Sequence, residues 1–214
     1  MSEQESPPVA EVVAIPKERR RLKVALVGTP GCGKTSVSLA LQSTMGSTSF
    51  IVSTCSEYAR EYLTKYGKIE HIAIQSSIGY KQKRREDILS ESCDLLVSDS
   101  PLFFCWIYAA LFADPTSPPQ MKIVRDLYKW FVLDVAQRYD SVIYLPKQFD
   151  VVDDGVRDPE AHVAIEDVIL GFLRSHKHLF RNYVEIRSEL TEPQEILHDR
   201  TKLIKKYLKK TLEI

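Results

Sequence analysis

The 214-residue sequence has no excess of either charge and no hydrophobic run of membrane length. It carries 29 basic and 29 acidic residues, so no overall electrostatic field attracts nucleic acid or an anionic membrane. Its most apolar stretch, residues 101–113 (PLFFCWIYAALFA), falls short of the roughly 18 residues that a membrane span needs. The N-terminus also lacks the charged-then-apolar pattern of a signal peptide. We therefore expect a soluble cytoplasmic protein with no membrane partner.

Cysteine is scarce, and its spacing argues against a metal site or a disulfide framework. The cysteines are Cys32, Cys55, Cys93 and Cys105. They form no CxxC pair and no zinc-finger spacing, so we expect reduced thiols. The histidines His176 and His178 are two residues apart and would not share a helix face. A metal site built from these residue types is therefore not expected.

Short apolar runs alternate with helical patterns through most of the chain. Runs typical of buried strands cover residues 23–28, 50–54, 94–98, 141–145 and 183–186. Helical patterns cover residues 34–42, 56–66, 69–90, 102–112, 119–138, 161–176 and 193–212. This alternation predicts an α/β fold, with a five-stranded parallel sheet and helices on both faces.

The length suits one such domain, over residues 21–214. Residues 1–20 contain three prolines among Ser and Glu, a composition typical of a flexible tail. The tail runs into a basic stretch, residues 17–23 (KERRRLK). A solvated lead-in to the first strand is the simplest interpretation of this stretch.

Residues 28–35 (GTPGCGKT) match the phosphate-loop pattern G-x-x-x-x-G-K-[ST] at every fixed position. The match follows a buried strand and opens a helix, as the binding mechanism requires. The glycines let the backbone wrap a phosphate and point its N–H groups inward. Lys34 adds charge at the outer phosphates, and the Thr35 hydroxyl is placed to bind Mg²⁺. The sequence thus predicts ATP and Mg²⁺ as cofactors, with nucleotide contacts from Gly28, Pro30, Gly31, Cys32, Gly33, Lys34, Thr35 and Ser36.

A small-molecule kinase fits this loop better than other nucleotide-binding classes do. The guanine-reading N-K-x-D and the switch D-x-x-G of GTPases are both absent. A larger oligomeric ATPase needs an acidic Walker B strand and a sensor region, for which the chain has little room. A kinase needs a metal carboxylate at a strand tip, a substrate helix after the second strand and a mobile lid after the fourth. A nucleotide-dependent regulatory ATPase is the alternative from another class.

Asp99 follows the third predicted strand, in the segment LLVSDSP of residues 95–101. Ligands of open α/β sheets collect at the carboxyl ends of the strands. There Asp99 would hold Mg²⁺ through water or accept a proton from an attacking hydroxyl. A helix-capping aspartate is the structural alternative, because Pro101 opens the next helix.

Glu57 and Arg60 follow the second predicted strand, in the segment CSEYAREY of residues 55–62. Glu57 at the strand tip would orient or deprotonate a substrate hydroxyl, and Arg60, one turn later, faces the same way. A capping box or a surface ion pair is the structural alternative.

Arg157 lies in the polar segment VDDGVRDP of residues 152–159, after the fourth predicted strand. Glycine and proline bracket this single arginine in a segment too polar for a core. Arg157 is therefore predicted to fold over the transferring phosphoryl group and stabilise its charge. A surface salt bridge is the structural alternative.

Two further segments do not indicate a catalytic role. The aromatic residues Phe103, Phe104, Trp106 and Tyr108 could stack on a base, but an aromatic first turn more often belongs to the core. Residues 187–193, after the fifth strand, are placed to contact adenine by analogy with related kinases, and no residue there is diagnostic.

The order GTPGCGKT, SEYAREY, an Asp-tipped apolar strand and DDGVRDP resembles the ribosylnicotinamide kinase domain of NadR-type proteins and related phage P-loop kinases. The resemblance spans about residues 23–190. It implies that Glu57, Arg60 and Asp99 shape the acceptor pocket, that Arg157 belongs to the lid, and that the acceptor is a nucleoside-type hydroxyl. If a phage encodes the protein, its compartment is the host cytoplasm.

The acceptor stays open between two settings. A free nucleoside, such as ribosylnicotinamide, agrees with the zero net charge. A hydroxymethylated base within DNA, such as 5-hydroxymethyluracil, agrees with the third-strand motif SDSPL, which departs from the D-T-D of the nicotinamide riboside enzymes. The basic stretches at residues 17–23 and 81–85 favour DNA in the same way. The sequence does not determine the oligomeric state.

Overall fold

The computed structural model describes the backbone of residues 21–148 and 159–214, and the side chains of residues 21–148 and 165–214. The predicted tail over residues 1–20 and most of the predicted lid, including Arg157, therefore lie outside the described residues.

The sheet has five parallel strands, as predicted. They are β1 (Leu22–Val27), β2 (Val52–Cys55), β3 (Leu95–Ser98), β4 (Ser141–Tyr144) and β5 (Tyr183–Glu185). Their order is β2-β3-β1-β4-β5, and every neighbouring pair is parallel. β1 suits a central position because it is rich in Val and Leu and all of its residues except Lys23 are buried, as strands of parallel sheets covered by helices require. The carboxyl end of β1 therefore lies between the carboxyl ends of β3 and β4.

In the described part of the chain, seven α-helices connect and cover the strands. They are α1 (Lys34–Met45), α2 (Tyr58–Tyr66), α3 (Ile74–Glu91), α4 (Phe104–Phe112), α5 (Pro118–Trp130), α6 (Pro159–His176) and α7 (Pro193–Leu212). The prediction of a helix from residue 69 was wrong at its start. Gly67, at φ 78°, ends α2 in the left-handed region that favours glycine, and α3 begins only at Ile74.

The predicted helix over residues 119–138 was wrong at its end. The α-helix stops at Trp130 and continues as a π-helical segment, Phe131–Val135. The Ala136 N–H bonds to the Phe131 carbonyl at 2.9 Å, one residue wider than an α-helical bond. The wider turn lets Phe131, Val135 and Ala136 all join one buried cluster.

Successive residues of β1 face opposite helix layers, which confirms helices on both faces. Val24 and Leu26 pack into a cluster with α1 and α7, whose buried members include Val37, Leu41, Ile204 and Leu208. Ala25 and Val27 pack into an aromatic cluster with α4, α6 and the π-helical segment, including Phe103, Phe131 and Phe172. Over the described ranges, no helix is long and apolar enough to cross a membrane.

Candidate active site

The loop between β1 and α1 adopts a conformation that its glycines make possible. Gly31 and Gly33 have φ values of 79° and 89°, in the left-handed region that side chains disfavour. A Cβ atom on Gly28 would clash with the Leu145 carbonyl oxygen and the Cys32 sulfur. The glycines of the sequence pattern therefore lie where the backbone has a geometry that other residues could adopt only with strain.

Lys34 extends back across the loop that precedes it. Its Nζ donates to the carbonyl oxygens of Gly28 at 2.9 Å and Thr29 at 2.8 Å. These acceptors are neutral, whereas hydrogen bonds from an ammonium to an anion are roughly twice as strong. A phosphate oxygen entering the loop would thus compete favourably for the Lys34 charge.

The start of α1 meets the end of β3 at one short contact. The Thr35 hydroxyl donates to Asp99 Oδ2 at 2.5 Å. Asp99 is 5% exposed, and its second oxygen, Oδ1, is buried with no hydrogen-bond partner among the described residues. Such an oxygen is costly to bury unless something binds it.

These oxygens fit a magnesium ion better than a transition metal. Mg²⁺ prefers oxygen ligands and is often held by one or two protein groups together with substrate phosphates and water. Within the part of the chain that the structure describes, no group of three or more His, Cys, Asp or Glu side chains could hold a metal by itself. A cation at Thr35 and Asp99 would therefore share its remaining ligands with a nucleotide.

One cavity brings most of the predicted site residues together. Its volume is about 260 Å³, just below the roughly 300–1,000 Å³ usual for small-molecule sites. Its lining residues are Gly28, Pro30, Gly31, Gly33, Lys34, Thr35, Ser36, Glu57, Arg60, Asp99, Phe104, Tyr108 and Leu197. Among the predicted loop contacts, Cys32 alone is not in this lining, and its side chain is fully buried beneath the loop. Predicted residues from β2, β3 and the phosphate loop thus converge on one space.

Glu57 and Arg60 line the same cavity as the phosphate loop. Their charged groups lie 4.0 Å apart, and the Arg60 side chain is 50% exposed. Both sit at the start of α2, which buries none of its residues. A half-exposed arginine beside a carboxylate is available to bind a polar ligand.

Polar contacts with α3 hold α2 in place. The Tyr58 N–H donates to Gln82 Oε1 at 2.9 Å. Arg85 forms a two-point ion pair with Glu61 and lies 4.7 Å from the centroid of the Tyr58 ring. This pair lowers the pKa of Glu61. The position of the Glu57–Arg60 pair therefore depends on α3.

Two aromatic side chains at the cavity were given no role in the predicted site. Phe103 and Phe104 are buried in the core, as expected, but Phe104 and Tyr108 also line the cavity. Their ring centroids are 5.9 Å apart in an edge-on arrangement. The spacing of four residues on one helix that begins just after Asp99 was the signal that could have found them.

A buried charge network supports the end of β3. Glu86 is fully buried, and its Oε1 accepts hydrogen bonds from Ser98 at 2.7 Å and Tyr139 at 2.9 Å. Its Oε2 accepts from Arg138 Nε at 2.9 Å. Because Ser98 directly precedes Asp99, this network fixes the strand end that carries Asp99.

Two buried thiols, those of Cys55 and Cys105, are not activated. Burial raises the pKa of Cys55, at the end of β2, to about 12, and burial raises that of Cys105 to about 12 as well. Both thiols therefore stay protonated at neutral pH, which argues against cysteine as a nucleophile here.

The family of the chain follows from a sequence match over this same region. A family model described as an AAA domain matches residues 23–190, which is well over half of the chain. The chain belongs to this AAA domain family. No curated protein matches it.

Solved structures similar to this AAA domain include a deoxyadenosine kinase and NadR proteins. A deoxyadenosine kinase from M. mycoides, with products dCMP and a flexible dCDP bound, has a TM-score of 0.61 and 14% identity, covering 88% of this chain and 100% of that one. A NadR protein in complex with NR has a TM-score of 0.68 and 18% identity, covering 87% of this chain and 51% of that one. A NadR protein in complex with NAD and AMP-PNP has a TM-score of 0.66 and 15% identity, covering 90% and 50%.

These structural similarities establish the fold of the AAA domain. It is a single P-loop α/β domain of the kind found in nucleoside kinases. The chain spans about half the length of the NadR proteins. The predicted resemblance to NadR-type kinases is confirmed at the level of the fold.

Proposed function

We propose that this protein is an ATP- and Mg²⁺-dependent kinase that transfers the γ-phosphoryl group to a hydroxyl of a nucleoside-type acceptor. The observation that carries the proposal is the single cavity that joins the Thr35–Asp99 contact to the Glu57–Arg60 pair. A phosphoryl-transfer site needs both ends, one for the nucleotide and one for the acceptor, within one water-poor space.

At the nucleotide end, the loop N–H groups and Lys34 would bind the phosphates of ATP. Thr35 and Asp99 would hold Mg²⁺, which supplies charge neutralisation on the phosphate oxygens when bound. The free Oδ1 of Asp99 supports this role, because a cation would satisfy it. Lys34 would move its ammonium from the loop carbonyls to a phosphate oxygen.

At the acceptor end, Arg60 would hold a polar group of the acceptor, and Glu57 or Asp99 would accept the proton of the attacking hydroxyl. Phe104 and Tyr108 line the same cavity and would contact a planar base, since a base and an aromatic ring stack favourably. Arg157, outside the described residues, is proposed to stabilise the charge of the transferring group.

The printed names of the similar structures support this reaction class. One is a deoxyadenosine kinase, and NadR structures hold NR and AMP-PNP. The cavity volume of about 260 Å³ suits a small acceptor. These points favour a free nucleoside over a polymer.

A hydroxymethylated base in DNA is the weaker candidate. Its support came partly from the basic residues 81–85, and two of these are neutralised within the protein. Lys83 pairs with Asp87 at 2.8 Å, and Arg85 pairs with Glu61. Lys81 and Arg84 are exposed, which leaves a smaller basic surface for a phosphate backbone.

Phosphoryl transfer from radiolabelled ATP tests the proposal. The acceptors are ribosylnicotinamide, the common nucleosides and deoxynucleosides, and DNA with and without 5-hydroxymethyluracil, each at two salt concentrations. We expect label on a free nucleoside with no steep dependence on salt. Labelling of modified DNA that falls sharply as the salt concentration rises would instead identify DNA as the acceptor. Contacts to DNA phosphates release counterions, so they weaken as salt increases.

A regulatory ATPase is the alternative that the AAA family description favours. Measurement of ADP release with and without an acceptor distinguishes it from a kinase. A kinase turns over little until its acceptor is present, whereas a regulatory ATPase releases ADP without one. The Lys34→Ala variant is the control for contaminating activity in both assays. Acceptor-independent ADP release that this variant abolishes would contradict the proposed function.

A further inference from the structure

The last helix places one arginine entirely inside the protein. Arg200, on α7, is 0% exposed, and burial lowers the pKa of its guanidinium below the ordinary value. Burying a guanidinium costs free energy unless its N–H groups meet acceptors. The hydrogen bonds that offset this cost also join separate parts of the protein to Arg200.

The hydrogen bonds of Arg200 reach two loops at the carboxyl edge of the sheet. Its Nη1 donates to the Cys32 carbonyl at 2.7 Å, within the phosphate loop (residues 28–33). Its Nη2 donates to the Pro146 carbonyl and to Gln148 Oε1 at 2.7 Å, in the segment after β4 (residues 145–148). The guanidinium fork thus bridges groups that are far apart in the chain.

A third loop joins through Gln148. Its Nε2 donates to the Ser188 carbonyl at 2.7 Å, and its Oε1 accepts from the Ser188 N–H at 2.9 Å. Ser188 lies in the turn after β5 (residues 186–192). The Ser188 hydroxyl in turn donates to Asp199 Oδ2 at 2.7 Å, beside Arg200 on α7. The adjacent pair Asp199–Arg200 therefore anchors all three loops to one helix.

The bond to Cys32 has a consequence for the phosphate loop. In a planar trans peptide, the carbonyl and the following N–H point in opposite directions. Because Arg200 draws the Cys32 carbonyl towards α7, the Gly33 N–H is turned the other way. Gly33 lines the cavity, so this orientation would present its N–H to a ligand there, as a phosphate nest requires.

We propose that Arg200 is a positioning residue for ATP: through the Cys32 carbonyl it orients the Gly33 N–H towards the phosphates, and through Gln148 it holds the two loops after β4 and β5 in register with the phosphate loop. The proposal rests on the proposed function, since it concerns the same nucleotide. It assigns Gln148 and Ser188 to the nucleotide end of the site and gives neither a part in the transfer step.

Direct binding of AMP-PNP tests the proposal without an acceptor. Arg200→Lys keeps the charge but cannot bond both loops. Gln148→Ala removes the link to the turn after β5 and one hydrogen bond of Arg200, but leaves the bond from Arg200 to the Cys32 carbonyl. We expect each to raise the Kd for AMP-PNP, by roughly tenfold or more for Arg200→Lys, since hydrogen bonds from charged groups are among the stronger ones. The KM for the acceptor should not change in either.

Arg181→Lys is the control, because Arg181 pairs with a buried carboxylate, Asp140 at 3.3 Å, but just before the start of β4, away from the nucleotide loops. It should change neither the Kd for AMP-PNP nor the Gly33 amide signal. The NMR signal of the Gly33 amide gives a second readout. On adding AMP-PNP this signal should shift strongly in the wild type and in Gln148→Ala, and weakly in Arg200→Lys.

The outcomes separate the two proposals. A wild-type protein that binds no AMP-PNP contradicts the proposed function itself. A wild type that binds AMP-PNP, with an equal Kd in Arg200→Lys, overturns the positioning role. If Arg200→Lys does not fold, Gln148→Ala and Ser188→Ala decide the matter, and an unchanged Kd in both overturns the proposal.

Discussion

The Thr35 hydroxyl donates a hydrogen bond to Asp99 Oδ2 across 2.5 Å, so the first turn of α1 is joined directly to the end of β3. The other carboxylate oxygen is buried and has no hydrogen-bond partner among the described residues. A single cation placed beside this pair would satisfy that oxygen and contact the hydroxyl together. We therefore expect the dependence of the activity on Mg²⁺ to change when either Thr35 or Asp99 is substituted.

Lys34→Ala should abolish turnover and leave the fold intact. The Lys34 ammonium bonds to two loop carbonyls, which other donors or water can satisfy, whereas no other described basic side chain except Arg60 lines the cavity. Initial rates with saturating ATP, together with melting temperatures, measure both effects. Undiminished phosphoryl transfer in a folded variant would rule out the loop as the phosphate site.

Asp99→Asn should mainly lower kcat and raise the Mg²⁺ concentration needed for half-maximal rate. An amide can still accept the Thr35 hydrogen bond but supplies no negative charge to a cation. Asp140→Asn is the matched control, because Asp140 is also a buried carboxylate and accepts the Lys23 N–H at 2.9 Å next to the start of β4. If both variants show the same Mg²⁺ dependence as the wild type, Asp99 is structural.

Arg60→Ala should mainly raise the KM for the acceptor, with the KM for ATP unchanged. Arg60 lines the cavity beside Glu57, and it lies on α2 rather than on the phosphate loop. Arg84→Ala, which removes an exposed arginine of α3, is the control and should change neither constant with a small acceptor. A raised KM in Arg84→Ala with a DNA acceptor would instead favour the polymer.

Tyr108→Leu should raise the KM for the acceptor by about tenfold, since stacking of one base on an aromatic ring contributes roughly 1–3 kcal/mol. Leucine keeps apolar contact with the neighbouring helix but offers no ring face. Tyr80→Leu, at an exposed tyrosine of α3 (63% exposed), is the matched control. Equal acceptor KM values in all three proteins would show that Tyr108 does not contact the base.

Asp87→Asn should destabilise the protein at neutral pH, and the difference should shrink in acid. Burial acts to raise the pKa of Asp87, but hydrogen bonds from Lys83 and Arg138 outweigh it and hold that pKa well below its ordinary value. A lowered carboxyl pKa stabilises the fold above the unfolded value of about 3.9 and loses this effect as pH falls towards the folded value. Melting temperatures of both proteins across this range measure it. A difference that stays constant down to low pH would contradict the linkage.

The strands, the loop and the topology class were predictable because their signals are local. Apolar runs of the right length gave the five strands within one or two residues, and the glycines at positions 28, 31 and 33 matched a loop whose backbone demands them. The placement of Asp99, Glu57 and Arg60 around one cavity also followed from sequence, since parallel strands expose their carboxyl ends at one edge.

Other features depend on contacts that local pattern does not encode. Helix propensity did not anticipate the start of α3 at Ile74, nor the π turn at residues 131–135, which aligns three side chains with one core cluster. Nothing in the aromatic run distinguishes Phe103 from Phe104, although both are core and, of the two, Phe104 also lines the cavity. Which side each ring faces is set by how α4 packs on α3, α5 and α6.

By itself, the sequence determined the P-loop class, the parallel sheet and the residue types at the nucleotide end, because each depends on short-range spacing and backbone sterics. Only the tertiary structure decided how the loops are held: Arg200 bonds to the Cys32 carbonyl across 168 positions of the chain. A main-chain acceptor carries no side-chain identity. A pattern in the sequence therefore cannot mark such a partner, and only the packing of α7 against the phosphate loop brings the two groups together.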